Sequence, residues 1–393
     1  MSSPDSSSSE VSGRDPATGE LLLLRIEDGT IADVQRRAST VASDEPWLTP
    51  GLVDLQVNGF GGFDVNDFAE DDGETISAMV RALVARGVTT VVPTIITAAE
   101  QHIVTCLRRV VAARAADPLA RHAIPFVHVE GPHLSCEDGP RGVHPAEHIR
   151  PPDVGEFLRW QEACDGLVGM VTLSPHFAES VSYVEKLVEY GVRVAIGHTH
   201  AEPERIRAAA AAGATLCTHL GNGAHAVLPR HPNYIWAQLA DDRLAAGFIA
   251  DGHHLPPETL VSMLRAKGLQ RSFLVSDATA LAGSPPGIYR TPVGGDVELT
   301  ADGRLVYRGT PYLAGAARSL DDAVAHVANL GPFTLGEAVG LATSVPGAIV
   351  GGRGRLDVGA PADLVRFRWN QGDRTLSIEE VLVAGERQPC GPR

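Results

Sequence analysis

Apolar runs rich in Val, Ile and Leu alternate with helix-like stretches over most of the chain. Few of these runs alternate with polar residues, which indicates strands buried on both faces of a parallel sheet. We count eight runs: GLVDLQV (51–57), VTTVVPTII (88–96), IPFVHVE (124–130), LVGMVTLS (167–174), RVAIGH (193–198), ATLCTH (214–219), LAAGFIA (244–250) and SFLVSD (272–277). Because helical patterns such as ETISAMVRALVARG separate several of them, the sequence predicts an α/β fold, a (β/α)₈ TIM-like barrel.

The two ends of the chain have a different texture. Residues 1–12 are Ser-rich and polar, which predicts a disordered tail. Short strand-like runs with turn residues fill 13–49 and return in 353–393, so we expect these segments to form one small β-sandwich domain. The barrel is then expected over 50–352. Within it, a hairpin around Asp302-Gly303 and one final helix, LGEAVGLATSVPGAIVG, are expected after the eighth run.

Composition limits the possible partners. A hydrophobic content of 44% in 393 residues allows a large core. A net charge of −15 argues against binding to nucleic acids or anionic membranes, because both would repel the protein. Five scattered cysteines without CxxC spacing are typical of reduced thiols, and the first residues lack the features of a signal peptide. We therefore expect a cytoplasmic protein with a small-molecule ligand.

Polar residues occur at the C-terminal ends of the apolar runs, where barrel enzymes carry their chemistry. They are Gln56 and Asn58 after the first run, Glu130 in the third, His198 in the fifth, His219 in the sixth and Asp277 in the eighth. A carboxylate or imidazole buried there is costly unless it is paired, protonated or bound to a metal. This shared position predicts an active site at one end of the barrel.

Glu130, His198 and His219 form the donor set that catalytic Zn²⁺ uses, two imidazoles and one carboxylate. Taken alone, each histidine is better explained as a hydrogen-bonded residue at a strand end, and it is their shared position on adjacent strands, together with Glu130, that favours a metal site. Asp277 could likewise be a helix cap or the start of an Asx turn. Opposite a bound metal, however, its carboxylate could act first as general base and then as general acid.

Several motifs together carry a resemblance to a known family. They are PGLVDLQVNGFGGFDVND (50–67), HVEGPHLS (128–135), GVHPAEHI (142–149), IGHTHA (196–201), GATLCTHLGNGA (213–224), FIADGHH (248–254) and LVSDATALAG (274–283). In order and spacing the chain resembles the amidohydrolase superfamily and, within it, the N-acetylglucosamine-6-phosphate deacetylases. The resemblance covers nearly the whole chain after the first residues.

The resemblance implies a role for individual residues. Glu130, His198 and His219 would be the metal ligands, and Asp277 the catalytic acid and base. His254 in FIADGHH would bind the substrate and polarise its acetyl carbonyl. The residues implied to contact the sugar are His144, Asn222, Gly223 and Leu313.

Gln56 and Asn58 stand where many amidohydrolases carry a His-x-His pair for a second metal. Neutral amides are poorer ligands than imidazoles for transition metals, so we expect one tightly held divalent ion, Zn²⁺ with Fe²⁺ as the alternative. Both residues could instead only satisfy hydrogen bonds at the strand end.

An acidic protein needs a local cation to bind a phosphate, and Arg230 is the first candidate. In the resembling family an Arg at this spacing enters the active site of the neighbouring subunit, which implies a homodimer. Alternatively, Arg230 is solvated or pairs with Asp241 or Asp242.

The expected reaction is hydrolysis of N-acetylglucosamine 6-phosphate to glucosamine 6-phosphate and acetate, in amino-sugar catabolism. A fold does not determine a substrate, and the unusual sequence at 222–236 leaves other N-acyl substrates open, such as an N-acetylgalactosamine phosphate or an N-acyl amino acid. A non-catalytic sensor of an amino sugar phosphate is a further alternative.

Overall fold

A computed structural model describes residues 8–38, 44–67, 73–291, 295–309 and 313–390. Its strands are β1 (Ser8–Arg14), β2 (Leu21–Glu27), β3 (Thr30–Arg37), β4 (Trp47–Pro50), β5 (Leu52–Val57), β6 (Gly59–Phe60), β7 (Phe63–Asp64), β8 (Val88–Ile96), β9 (Val127–Glu130), β10 (Val168–Leu173), β11 (Arg193–Ile196), β12 (Leu216–Cys217), β13 (Ala245–Ile249), β14 (Ser272–Val275), β15 (Gly287–Thr291), β16 (Gly295–Leu299), β17 (Leu305–Tyr307), β18 (Leu364–Arg368), β19 (Ser377–Val383) and β20 (Glu386–Gln388).

The α-helices are α1 (Glu74–Val84), α2 (Glu100–Ala116), α3 (Pro118–Ala123), α4 (Val154–Ala163), α5 (Ser180–Glu189), α6 (Pro203–Ala211), α7 (Tyr234–Ala240), α8 (Pro257–Lys267), α9 (Leu320–Asn329), α10 (Leu335–Leu341) and α11 (Ser344–Ile349). Short 3₁₀ helices occur at Ala146–His148 and Leu269–Arg271. Among the described residues, none of these helices combines the length and apolarity that crossing a membrane requires.

Eight parallel strands form the barrel, in the order β5, β8, β9, β10, β11, β12, β13 and β14. A parallel bridge between Val57 and Ala278 joins the last strand to the first. The interior is filled by large apolar side chains, among them Leu55, Phe126, Met170 and Phe273, and a second apolar layer lies between strands and helices. The predicted barrel is therefore confirmed.

The barrel strands are shorter than the apolar runs from which they were predicted. The third run begins as the end of α3, because Ile124 is the C-cap of that helix, and β9 starts only at Val127. The sixth run keeps just Leu216–Cys217 as strand. His198, His219 and Asp277 consequently lie in the loops that follow their strands.

The two chain ends meet in one seven-stranded sheet, ordered β20, β19, β18, β4, β1, β2 and β3. It has its own apolar cluster, which includes Leu22, Leu24, Leu48 and Leu364. The expectation of a disordered tail over 1–12 is wrong for residues 8–12: β1 begins at Ser8 and pairs with β2, since backbone hydrogen bonds need no apolar side chains. Residues 1–7 lie outside the described part, and the domain boundaries stay a prediction.

Two further expectations concern the C-terminal part of the barrel. The hairpin around Asp302-Gly303 is present, formed by β16 and β17, and β15 adds a third strand. The prediction of a single final helix is wrong. It is split into α10 and α11, because Pro346 has no N–H and its ring would clash with the carbonyl four residues earlier, at Ala342.

Candidate active site

The predicted site residues come together at the C-terminal end of the barrel. Glu130 is the last residue of β9 and is only 3% exposed. His198, His219 and Asp277 follow β11, β12 and β14, and all three have left-handed backbone angles, with φ of 47°, 25° and 49°. Such angles are uncommon for residues with a side chain and accumulate at functional sites. They turn the three side chains out of the strand direction.

Three side-chain atoms converge on one point. His219 Nε2 lies 3.1 Å from Glu130 Oε1 and 3.0 Å from His198 Nε2, and His198 Nε2 lies 3.3 Å from Glu130 Oε1. In a tetrahedral zinc site with bonds of ~2.0–2.1 Å, ligand atoms are about 3.3 Å apart. The spacing and the donor types therefore fit a divalent transition metal.

His144 adds a fourth ligand candidate. Glu130, His144 and His198 each offer a ligand atom within 4.8 Å of the others, a set that could hold a metal ion. His144 Nε2 lies 3.3 Å from His198 Nε2, and its Nδ1 lies 2.9 Å from Thr97 Oγ1. Burial, together with the neighbouring His198, lowers the pKa of His144 to about 3, so this ring is neutral. We favour His219 as the third ligand because it contacts both Glu130 and His198.

His198 is oriented by its surroundings. Its Nδ1 donates a hydrogen bond to the carbonyl oxygen of Pro140 over 2.8 Å, which leaves Nε2 as the atom able to bind a metal. Two glycines make room for the ring. A Cβ on Gly223 would lie 2.6 Å from His198 Nδ1, and one on Gly142 would lie 3.3 Å from His198 Cε1.

Gln56 and Asn58 both act as hydrogen-bond donors to the site's carboxylates. Gln56 Nε2 donates to Glu130 Oε1 over 3.1 Å, and Asn58 Nδ2 donates to Asp277 Oδ1 over 2.7 Å. Amide nitrogens turned towards carboxylates are not metal ligands. Among the described residues, Asn58 Oδ1 is buried without a hydrogen-bond partner, and the number of metal ions at this site stays a prediction.

The two carboxylates differ electrostatically. Burial alone would raise the pKa of Glu130, but hydrogen bonds from His198 and His219 hold it well below its usual value. For Asp277, burial dominates and raises the pKa to about 6, with the charge of Glu130 acting in the same direction. A fixed anion thus stands beside a carboxyl group able to exchange a proton near neutral pH.

The orientation of His254 is fixed by Asp251, a residue that the sequence did not indicate as functional. Asp251 Oδ2 accepts from His254 Nδ1 over 2.7 Å, while its Oδ1 accepts from the backbone N–H groups of His253 and His254. Burial would raise the pKa of Asp251, but the bonds from His254 hold it well below normal. The imidazole of His254 therefore has a set orientation, with Nε2 left for a ligand.

A cavity of about 430 Å³ opens at this end of the barrel. Its wall includes Glu130, His198, His219, Asp277, Asn58, His254 and the four residues expected to contact the sugar, His144, Asn222, Gly223 and Leu313. Gln56 and Arg230 are not among its described lining residues. Arg230 is exposed, and Asp241 and Asp242 pair with Arg243 and Arg271 instead.

Several lining residues escaped the sequence analysis. Asp64 and Asn66 come from β7 and the loop after it, Thr291 ends β15, and Arg304 comes from the hairpin of β16 and β17. The motif NGFGGFDVND contains the first two and could have indicated them. No local pattern marks Arg304, because its approach to the cavity depends on how the hairpin folds over the barrel.

A family model, the amidohydrolase family, matches residues 47–387. N-acetylglucosamine-6-phosphate deacetylase from Bos taurus is 32% identical over 380 residues, which cover 92% of this chain and 87% of the relative. N-acetylgalactosamine-6-phosphate deacetylase from Escherichia coli O157:H7 is 30% identical over 367 residues, with coverages of 92% and 93%.

Solved structures give the same result for the fold. A mutant N-acetyl-D-glucosamine-6-phosphate deacetylase from Mycobacterium smegmatis, in complex with N-acetyl-D-glucosamine-6-phosphate, matches with a TM-score of 0.80 and 30% identity, covering 93% of this chain and 94% of that one. The Thermotoga maritima N-acetylglucosamine-6-phosphate deacetylase matches with a TM-score of 0.82 and 26% identity, with coverages of 97% and 99%.

Proposed function

Since the chain belongs to the amidohydrolase family, we propose that it removes the acetyl group of N-acetylglucosamine 6-phosphate, releasing acetate and glucosamine 6-phosphate. The observation that carries this proposal is the convergence of Glu130, His198 and His219 beside Asp277 in one cavity. Relatives and solved structures with the same activity in their names support it. We also propose that this reaction serves amino-sugar catabolism.

A divalent ion held by Glu130, His198 and His219, which we propose to be one Zn²⁺ with Fe²⁺ as the alternative, would act as a Lewis acid on water and on the acetyl carbonyl. Glu130 contributes its fixed negative charge to this site. The low pKa of its carboxyl group keeps it ionised over the physiological range.

Asp277 is proposed to move the proton. Asn58 holds Oδ1, which leaves Oδ2 to take a proton from the attacking water and then to pass it to the sugar nitrogen. The second transfer is needed because an amine leaves poorly unless it is protonated. A pKa raised by burial to about 6 suits a group that must both accept and return a proton.

His254 is proposed to donate from Nε2 to the acetyl oxygen as negative charge develops there, with Asp251 fixing the ring. His144, Asn222, Gly223 and Leu313 are proposed to contact the sugar, since all four line the cavity. Hydrogen bonds from uncharged groups suit a sugar ring, and Asn222 is already oriented by a bond from Nδ2 to the carbonyl oxygen of His219 over 3.3 Å.

We also propose a cytoplasmic homodimer in which Arg230 reaches the neighbouring subunit's cavity. The loop that carries Arg230 supports an interface, because Val227 before it is 87% exposed and Trp236 after it is 57% exposed. A second chain covering this segment would remove both apolar side chains from water.

N-acetylgalactosamine 6-phosphate is the second candidate substrate, supported by the similarity to the Escherichia coli enzyme named for it. Acetate release from both sugar phosphates, from unphosphorylated N-acetylglucosamine and from N-acetyl amino acids would test the proposal. We expect the two sugar phosphates to be the best substrates. A preference for N-acetyl amino acids, or no acetate release from any compound by metal-loaded protein, would contradict it.

A further inference from the structure

Arg304 belongs to a hairpin that forms part of the cavity wall. It lies just before β17, and its backbone is fixed by Thr300: the Arg304 N–H donates to Thr300 Oγ1 over 3.0 Å, and the Thr300 N–H donates to the Arg304 carbonyl over 2.9 Å. The next residue, Leu305, lines the same cavity. The backbone of Arg304 is therefore part of an ordered turn.

Hydrogen bonds connect the hairpin to the segment that carries His254. His253 Nε2 donates to the carbonyl oxygen of Asp302 over 3.2 Å, which ties the turn to the residue before His254. In β17, the carbonyl oxygen of Leu305 accepts a hydrogen bond from the Ala314 N–H over 3.0 Å. Because His254 and Ala314 also line the cavity, Arg304 belongs to the same cavity wall as His254.

The cavity is otherwise rich in negative charge. Its lining contains the carboxyl groups of Asp64, Glu130 and Asp277, and Arg304 is the one Lys or Arg among its described lining residues. The chain as a whole carries a net charge of −15. A phosphate bound in such a cavity needs a fixed cation close to it, since the long-range field of the protein repels it.

The geometry of the substrate separates its two functional ends. In a hexosamine 6-phosphate, the acetamido group and the phosphate-bearing carbon are attached to ring carbons that face each other across the ring. With the acetamido group at Glu130 and Asp277, the phosphate lies away from these carboxylates. A guanidinium group presents a planar set of donors that matches two phosphate oxygens.

We propose that Arg304 binds the substrate's phosphate from within the same subunit and thereby makes the enzyme prefer phosphorylated amino sugars. This inference rests on the proposed deacetylase function and adds a specificity residue to it. It is independent of Arg230, which does not line the cavity of its own chain.

The test compares Arg304→Ala, Arg304→Gln and Arg304→Lys with a control, Arg308→Ala, on the same hairpin. Arg308 is exposed and follows β17. For each protein, kcat and KM are measured with N-acetylglucosamine 6-phosphate and with N-acetylglucosamine, and inhibition by inorganic phosphate is measured separately. Circular dichroism establishes that each variant is folded.

We expect Arg304→Ala and Arg304→Gln to lower kcat/KM for the phosphorylated sugar by roughly 10- to 100-fold, mainly through KM, because a charge-assisted hydrogen bond is lost. The unphosphorylated sugar should be affected less than threefold. Inhibition by phosphate should weaken in parallel, and Arg304→Lys should restore part of both. Arg308→Ala should resemble the unmodified protein.

Equal losses with both sugars, or no loss with either, would overturn the role of Arg304 while leaving the deacetylase function intact. Unchanged inhibition by phosphate would overturn it as well. Failure of the unmodified, metal-loaded protein to release acetate from any amino sugar would instead contradict the proposed function itself.

Discussion

Asn58 donates a hydrogen bond from Nδ2 to Oδ1 of Asp277 over 2.7 Å. The two residues follow β5 and β14, the first and last strands of the barrel, and the Asp277 N–H donates to the Gln56 carbonyl over 3.0 Å at the same place. Closing the barrel therefore also fixes the carboxyl group proposed to be the acid and base. Side chains on opposite ends of the sheet become neighbours only when the barrel closes.

Replacing Asp277 by Asn tests the proton transfer. The amide keeps the size and can still bind Asn58, but it cannot accept a proton from water. We expect kcat for N-acetylglucosamine 6-phosphate to fall by about 10²- to 10⁴-fold, with little change in metal content. Turnover within a few-fold of the unmodified protein would show that another group moves the proton.

The metal content of the purified protein tests the role of Gln56 and Asn58. Both amides donate to carboxylates, so we expect about one tightly bound ion per chain, and loss of activity when a chelator removes it. Replacing both residues by His should raise the content towards two. Two tightly bound ions in the unmodified protein would contradict this prediction.

The barrel was predictable because its strands are buried on both faces and form continuous apolar runs. The ends of the strands were less predictable than the barrel itself, because an apolar residue such as Ile124 can end a helix as well as start a strand. The strand at Ser8 was missed because its pairing with β2 relies on the backbone, which leaves no apolar pattern.

The candidate site was predictable where residues follow strand ends, as His198 and His219 do. Their left-handed backbone angles were not, because such angles are uncommon for residues with a side chain and no sequence pattern marks them. Arg304 and Asp251 were missed for different reasons. Arg304 approaches through a hairpin distant in sequence, whereas Asp251 lies three residues before His254 and reads as an ordinary turn residue.

Replacing Asp251 by Asn tests how His254 is positioned. The variant loses the negative charge that faces His254 Nδ1 and can present its NH₂ group there instead. Partners that orient metal-ligating histidines are worth about 10- to 100-fold in activity, and by analogy we expect a loss of this size here, in kcat rather than in KM. Asp302→Asn, at an exposed carboxyl group on the hairpin, is the control and should leave kcat unchanged. Equal effects of both substitutions would contradict a specific role for Asp251.

The buried carboxyl group of Asp54 should make the stability of the protein depend on pH. Burial raises the pKa of this β5 side chain from 3.8 to about 7, despite hydrogen bonds from Ser276 and Gln56. Because the folded-state pKa is the higher one, the folded protein retains a proton that the unfolded chain releases. The contribution of Asp54 to the free energy of unfolding is present in full below about pH 4. It declines between pH 4 and 7, and then stays constant.

Asp54→Asn should remove this dependence. Between pH 5 and pH 8, we expect the unmodified protein to lose stability relative to the variant, by at most about 3 kcal/mol, since each pKa unit corresponds to about 1.4 kcal/mol. Urea unfolding of both proteins at the two pH values, with equal metal loading, measures this difference. A difference independent of pH would show that Asp54 is already ionised at pH 5.

Arg230→Ala tests whether the cavity is completed by a second subunit. Arg230 is exposed in its own chain, and its carbonyl accepts from the indole of Trp236 in α7 over 3.3 Å, so an exposed apolar ring lies beside the loop that carries the cation. If the neighbouring subunit's cavity receives this loop, the variant should raise KM for N-acetylglucosamine 6-phosphate about 10-fold or more and change that for N-acetylglucosamine little. Trp236→Ala should weaken the dimer in sedimentation velocity and lower activity at low protein concentration, because separated chains lose the partner's arginine. A monomer with full activity towards the phosphorylated sugar would contradict the shared site and leave phosphate binding to Arg304 alone.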